Sequence, residues 1–229
     1  MFFDHLASII QKQKSVFLLA VLIIGAGVII GATDTELGLS TLENVEQQLQ
    51  DMDPLNFPLV FNVIVTNNIG IAVEAWVTGF FVVPTLVLGV ESIGVPFGIY
   101  LNPAIIDPEL TFITFSSFGL LELIAMVFAV AAGLTIPKIY LQLIRERKLK
   151  GLTEALRDGV VLVAYSTITL IISGLLEAFL ILTASIDPSL SFAVLILGAL
   201  GTLIYFRSFF RAIKSATTSK DKVEKTFVF

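Results

Sequence analysis

Every Lys and Arg in this chain falls into one of three short clusters, and none occurs between Lys14 and Lys138. The clusters are Lys12 and Lys14; Lys138, Arg145, Arg147, Lys148, Lys150 and Arg157; and Arg207, Arg211, Lys214, Lys220, Lys222 and Lys225. Long apolar stretches divided by short basic ones read as membrane spans and their loops. Lys and Arg resist transfer across a bilayer during insertion, so short basic loops stay on the cytoplasmic side. All three clusters are therefore expected on one side. The acids Asp34, Glu36, Glu43, Glu46, Asp51, Asp53, Asp107, Glu109 and Asp187 mark the other.

Composition agrees, with 56% hydrophobic and 14% charged residues and a mean hydropathy of +0.93. Those values exclude an ordinary soluble domain of this length. The sequence pI near 4.9 says little about partners, because the charge is divided by side. Without cysteine there is no disulfide framework and no thiolate chemistry, and one histidine leaves almost no stock of metal ligands. No metal and no cofactor are expected. There is no H-E-x-x-H and no Gly-rich phosphate loop, and His5 lies outside the apolar runs, so the chain does not read as an enzyme. The run from Arg145 to Lys150 lacks aromatic platforms or a known module, which argues against nucleic acid as a partner.

The pattern predicts an all-α, polytopic transmembrane bundle of about six spans in one domain covering residues 1–229, multi-pass in the cell membrane, with both termini cytoplasmic. Residues 16–32 form the first span. No A-x-A site follows them, so this run reads as an uncleaved helix rather than a signal peptide. Its Gly27-x-x-x-Gly31 pair suggests a close helix contact. Residues 33–57 form an acidic outer loop in which Ser40 or Thr41 caps a short helix running to Gln50. Both acidic segments must lie outside, so residues 58–98 must cross an even number of times. They are assigned to spans 58–75 and 77–98, turning near Glu74 to Gly79. Asn62, Asn67 and Asn68 in one leg, and Pro84, Pro96 and several glycines in the other, suggest broken or re-entrant helices. The last spans are 110–136, 159–186 and 190–206, with a basic inner loop at 137–158 and a basic inner tail at 207–229. Phe2, Phe3, Leu6, Ile9 and Ile10 have the spacing of a helix lying on the inner leaflet.

Four acids, Glu74, Glu91, Glu122 and Glu177, fall inside apolar runs that offer no base to pair with. Glu122 shares a helix face with Ala125, Ala129 and Gly133, a small-residue seam that admits another backbone. Glu177 shares one with Ser166, Thr169 and Ser173. Counted along their helices, Glu122 and Glu177 lie roughly 18 Å and roughly 14 Å from the outer ends of their spans, so they can meet at one depth. The pair reads as a hydrogen-bonded packing link or as an ion or proton site. Asn67 and Asn68 line a cavity or hydrogen-bond between helices. Glu74, beside Trp76, suits a headgroup-level position, and Glu91 an interfacial one.

Several of these residues carry a family resemblance. Asn67-Asn68, the run Ser117-Phe118-Gly119-Leu120-Leu121-Glu122-Leu123-Ile124-Ala125, Ala132-Gly133, and Gly174-Leu175-Leu176-Glu177-Ala178-Phe179 together resemble the stage II sporulation protein M family. The family signature Pro-His-Gly-x-x-Glu-Leu-x-Ala meets Ser117-Phe118 here in place of Pro-His. The resemblance implies that Asn68, Gly119, Glu122, Ala125 and Glu177 occupy characteristic positions. It further implies a membrane scaffold or assembly component, since sporulating members hold peptidoglycan-degrading partners at the septum. A non-enzymatic scaffold is therefore the first expectation, with the lipid bilayer around it and self-association or another membrane protein as partner. The alternative is a transporter or channel subunit that moves protons or cations along the intramembrane carboxylates.

Overall fold

The computed structural model describes residues 2–49, 53–108, 112, 114–146 and 151–226. Among them all regular structure is helical, and six helical segments are long and apolar enough to cross a membrane. Nine α-helices carry the described architecture: α1 (Phe2–Lys12), α2 (Lys14–Thr33), α3 (Thr35–Leu49), α4 (Phe57–Val77), α5 (Val82–Val87), α6 (Val95–Tyr100), α7 (Leu120–Glu146), α8 (Leu152–Ile186) and α9 (Pro188–Thr226). A π-helical turn at Leu88–Gly94 joins α5 to α6, and a second at Phe115–Gly119 leads into α7.

The predicted hairpin is present, but its two legs differ. The first leg, α4, is one unbroken helix, not a broken one. Asn56 opens it by accepting the Leu59 N–H at 3.3 Å, and Pro58 sits in the first turn, where no donor is needed. Its asparagines stay within the helix. The turn falls at Thr78–Phe80 and Phe81, later than the sequence places it. Only the second leg is broken, where Val95 N–H reaches back five residues to the Val90 carbonyl and Pro96 can donate nothing.

This broken leg packs on α2 through glycines from both sides. A Cβ on Gly27 would lie 2.7 Å from Gly94 Cα and against the Val90 carbonyl, while one on Gly98 would lie 2.9 Å from Gly31 Cα. Gly27-x-x-x-Gly31 thus meets Gly94-x-x-x-Gly98, and the two backbones touch where any side chain would hold them apart.

Helix α7 is the centre of the bundle. Ala125, Phe128, Ala129, Val130, Ala131, Ala132 and Ile136 are all buried, and the small alanines let neighbours close in on several sides. Near its basic end Pro137 lacks the N–H that would bond the Gly133 carbonyl, and Gly79 of the hairpin turn packs directly on that glycine. Helix α8 is clamped to α7 by Ser166 Oγ, which donates to Ala125 O at 2.7 Å, and by Ser173 Oγ, which donates to Phe118 O at 3.1 Å. From α9, Thr202 Oγ1 donates to Ser117 O at 2.7 Å. Two carbonyls of this π turn thus accept hydroxyls from two other helices.

Three further expectations change. The outer-loop helix begins at Thr35 rather than at Ser40 or Thr41, because Asp34 accepts the Leu37 N–H at 3.0 Å; Gln50 lies outside the described residues. The amino-terminal helix does not spend its apolar face on lipid. Leu6, Ala7 and Ile9 are buried, Phe3 stacks edge-on against Tyr205 at 5.2 Å, and Gln11 Nε2 reaches Ile213 O at 3.3 Å on α9. Finally, α9 does not end near Phe206 but continues to Thr226, so this helix of about 58 Å outruns a hydrocarbon core of about 30 Å and projects on the basic side.

Candidate functional site

The structure brings Asn67, Asn68, Glu122 and Glu177 to one cavity of about 370 Å³, held between α4, α6, α7, α8 and the Phe115–Gly119 turn. Each acid is set there by its helix. Glu122 sits in the first turn of α7, immediately after the π turn, which rotates it toward α4. Glu177 stands on the α8 face whose hydroxyls grip α7, about 14 Å from the end of that helix at Ile186. Asn68, mid-way along α4 and buried, donates from Nδ2 to Glu122 Oε1 at 2.6 Å. Asn67 Nδ2 in turn lies 3.4 Å from Asn68 Oδ1.

The two carboxylates are not hydrogen-bonded to one another. Glu122 is held by Asn68, and Glu177 lines the cavity without a hydrogen-bond partner among the described residues. Both are half-buried and line the cavity. They are close enough to interact electrostatically, and both do so with Tyr100, which closes the cavity at the end of α6. The lining includes no Lys, Arg or His.

The cavity has one mouth side and one floor. Thr41 of α3 and Tyr100 lie at the acidic end, while Ile71, Ser92 and Met126 are the deepest lining residues on their spans. Below that floor Ala72, Ala75, Ala129 and Val130 are buried, and Gly79 lies on Gly133. The pocket is therefore blind toward the basic side. Sequence reasoning found Asn67, Asn68, Glu122 and Glu177 and missed Tyr100, Phe97 and Phe115, because ring-bearing residues in apolar runs give no signal of which way they face.

The packing seam sits alongside. Ala125, Ala129 and Gly133 are buried against α8 and the hairpin, and Gly119 packs under the Phe115 ring. Glu74 and Glu91 stand apart from the cavity. Both are exposed on the outside of the bundle. Glu74 lies near the basic end of its span, where an acid is inexpensive, with Trp76 beside it. Glu91 lies mid-way between Val82 and Tyr100, at mid-depth of its span and not at an interface.

A second polar cluster, on the basic side, was not anticipated. Asp158 is buried within α8, which starts at Leu152, ahead of the expected boundary at 159. Lys12 Nζ meets Asp158 Oδ2 and Glu154 Oε1, each at 2.6 Å. Gln13 Nε2 donates to Asp158 Oδ2 at 3.2 Å, and Lys138 Nζ to Gln13 Oε1 at 2.8 Å. Burial pulls the Lys12 pKa down, but hydrogen bonds and charge from Asp158 and Glu154 outweigh it, and the net shift is upward. This knot ties the amino-terminal helices to α7 and α8. Among the described residues no group of three or more His, Asp or Glu side chains is placed to hold a metal ion.

The family model described as Stage II sporulation protein M matches residues 15–180, a stretch that takes in the cavity and both of its acids. No curated protein and no solved structure matches the chain.

Proposed function

This chain belongs to the stage II sporulation protein M family, and from that premise we propose that it is a non-enzymatic scaffold of the cell membrane, bound to a second copy or to another membrane protein. The observation that carries the reading is Glu91. A carboxyl group exposed at mid-depth on the outside of the bundle faces hydrocarbon if the chain is alone, at a cost of about 2.5–3.5 kcal/mol on insertion scales. A neighbouring protein that hydrogen-bonds it removes that cost. The basic end of α9, projecting beyond the bilayer, adds a surface on the cytoplasmic side when the basic clusters face inward.

The test is recovery of partners from native membranes in mild detergent, comparing wild type with Glu91→Leu and Glu91→Gln. Loss of a stoichiometric partner in Glu91→Leu, with thermal stability of the chain retained, supports the scaffold. Equal recovery of partners in all three forms sinks it.

A second reading, movement of protons or cations, has its own support in the blind cavity. Two carboxylates meet there beside two π turns, the kind of helix break that transporters place at a binding site. Proteoliposome flux that disappears in Glu122→Gln with Glu177→Gln, while the fold persists, would favour it. Absence of any flux in wild type leaves the scaffold reading in possession.

A further inference from the structure

We propose that the cavity on the acidic side is a binding site for an organic ammonium ion carrying an apolar body. The inference goes beyond the scaffold reading and does not depend on Glu91 or on any protein partner.

The charge of the ligand follows from the lining. Glu122 and Glu177 both face the cavity, and no base does. The neutral amide of Asn68 engages only one oxygen of Glu122 and supplies no positive charge. Glu177 has no hydrogen-bond partner among the described residues, so a donor is wanted where none is provided. An ammonium group supplies both the charge and, where it carries hydrogens, the donors. The segments bordering the mouth carry acids only, which raises the local concentration of cations and disfavours anions.

The body of the ligand follows from the walls. Phe97, Phe115, Phe118 and Tyr100 present rings to the cavity, and Phe97 meets Phe115 edge-to-face at 6.4 Å. Ring faces attract quaternary and protonated amines, most strongly where water is excluded. Ile64, Ile71, Ile93 and Met126 complete an apolar floor and side. At about 370 Å³ the space lies within the range of small-molecule sites and exceeds what a hydrated monovalent metal ion needs. Among the described residues no group of three or more His, Asp or Glu side chains is placed here to hold a divalent metal.

An ammonium group occurs in dissolved amines and in the headgroup of phosphatidylethanolamine. The test uses the full-length wild-type chain in maltoside micelles. A hydrophobic carbodiimide labels carboxyl groups in apolar surroundings, and mass spectrometry reads the peptides carrying Glu122 and Glu177. Benzyltrimethylammonium and, separately, phosphatidylethanolamine are added as protectants, with benzyl alcohol as the uncharged control. The expected result is at least a fivefold slowing of labelling at Glu177 by one of the two ammonium compounds and none by benzyl alcohol. Protection by the dissolved amine assigns a free organic cation, and protection by the lipid alone assigns a headgroup. Protection by neither, or equal protection by benzyl alcohol, overturns the proposal.

A binding measurement with radiolabelled benzyltrimethylammonium, or with the labelled lipid if that is the protectant, then compares Glu177→Gln, Phe97→Leu and Glu74→Gln. Affinity should fall at least tenfold in the first, several-fold in the second and not at all in the third. Because Phe97→Leu keeps every carboxylate, its loss of affinity separates a ring-lined ammonium site from a general attraction to acids. Unchanged affinity in both Glu177→Gln and Phe97→Leu also overturns the proposal.

Discussion

Gly27→Ala and Gly25→Ala add the same methyl group to the same helix two residues apart, and the structure expects opposite outcomes. At Gly25 nothing lies within 4 Å of the new Cβ. At Gly27 the Cβ would stand 2.7 Å from Gly94 Cα and against the Val90 carbonyl, both backbone atoms that no rotamer change can move aside. Carbon atoms in contact prefer about 3.5–4.0 Å, so the broken third span must retreat from α2 by roughly 1 Å. A gap of that size forfeits about a quarter to a half of each dispersion contact along the seam. Overpacking of this kind costs about 1–3 kcal/mol, and the backbone origin of both contacts favours the upper end. Helix propensity offsets about 1 kcal/mol at either site and cancels in the comparison. Gly27→Ala should therefore be less stable than Gly25→Ala by about 2–3 kcal/mol, or some 30- to 150-fold in the folding equilibrium. Reversible unfolding in mixed micelles, titrated with a denaturing detergent, measures the difference. Agreement of the two variants within about 0.5 kcal/mol would refute the glycine-to-glycine seam.

On the basic side, Lys12→Met and Asp158→Asn should be coupled by about 1–3 kcal/mol in a double-mutant cycle, with Asp158 buried and Lys12 partly solvated. Because the Lys12 pKa is raised above its ordinary 10.5, the contribution of this pair is fully present at lower pH and is lost as pH rises through the higher folded value; a stability profile measured from neutral to strongly alkaline pH checks the sign. Ser173→Ala and Thr202→Val each remove a hydroxyl that donates to a carbonyl of the π turn and should lower stability by about 1 kcal/mol apiece, read by the same unfolding titration. Asp187 accepts from the Ser189 backbone N–H and hydroxyl, which holds its pKa below the ordinary 3.8, so its contribution is present above that value and is lost as pH falls through the lower folded one. Asp187→Ala should therefore destabilise the chain at neutral pH and be indistinguishable from wild type in strong acid.

How much of the site was legible depends on what each residue signals. Glu122 and Glu177 announce themselves because an acid in an apolar run needs a reason, and helical counting puts both at similar depth. Their convergence on one cavity needs the π turn at Phe115–Gly119, which rotates Glu122 away from the register of an ideal helix, and nothing in that run of residues marks the turn. Gly27 and Gly31 were recognisable as one half of a close contact. Gly94 and Gly98 carry the same spacing but sit among Pro96 and other breakers, where glycine also reads as irregular backbone. Asp158 was hidden because an acid next to a basic loop looks solvated.

Sequence alone carried the expectation of a membrane, of six crossings and of which segments share a side, and the six long apolar helices agree with the second. Those follow from one-dimensional quantities: the length of an apolar run against the thickness of a bilayer, and the cost of moving a base across it. Tertiary structure alone decided that α1 leans on α9 rather than on lipid, that Glu91 faces outward while Glu122 and Glu177 face inward, and that the pocket between them is blind. The physical reason is that lipid and protein interior are equally apolar. Hydropathy cannot choose between them, and contacts between glycine backbones, and between hydroxyls and the carbonyls of the π turn, settle which face turns in.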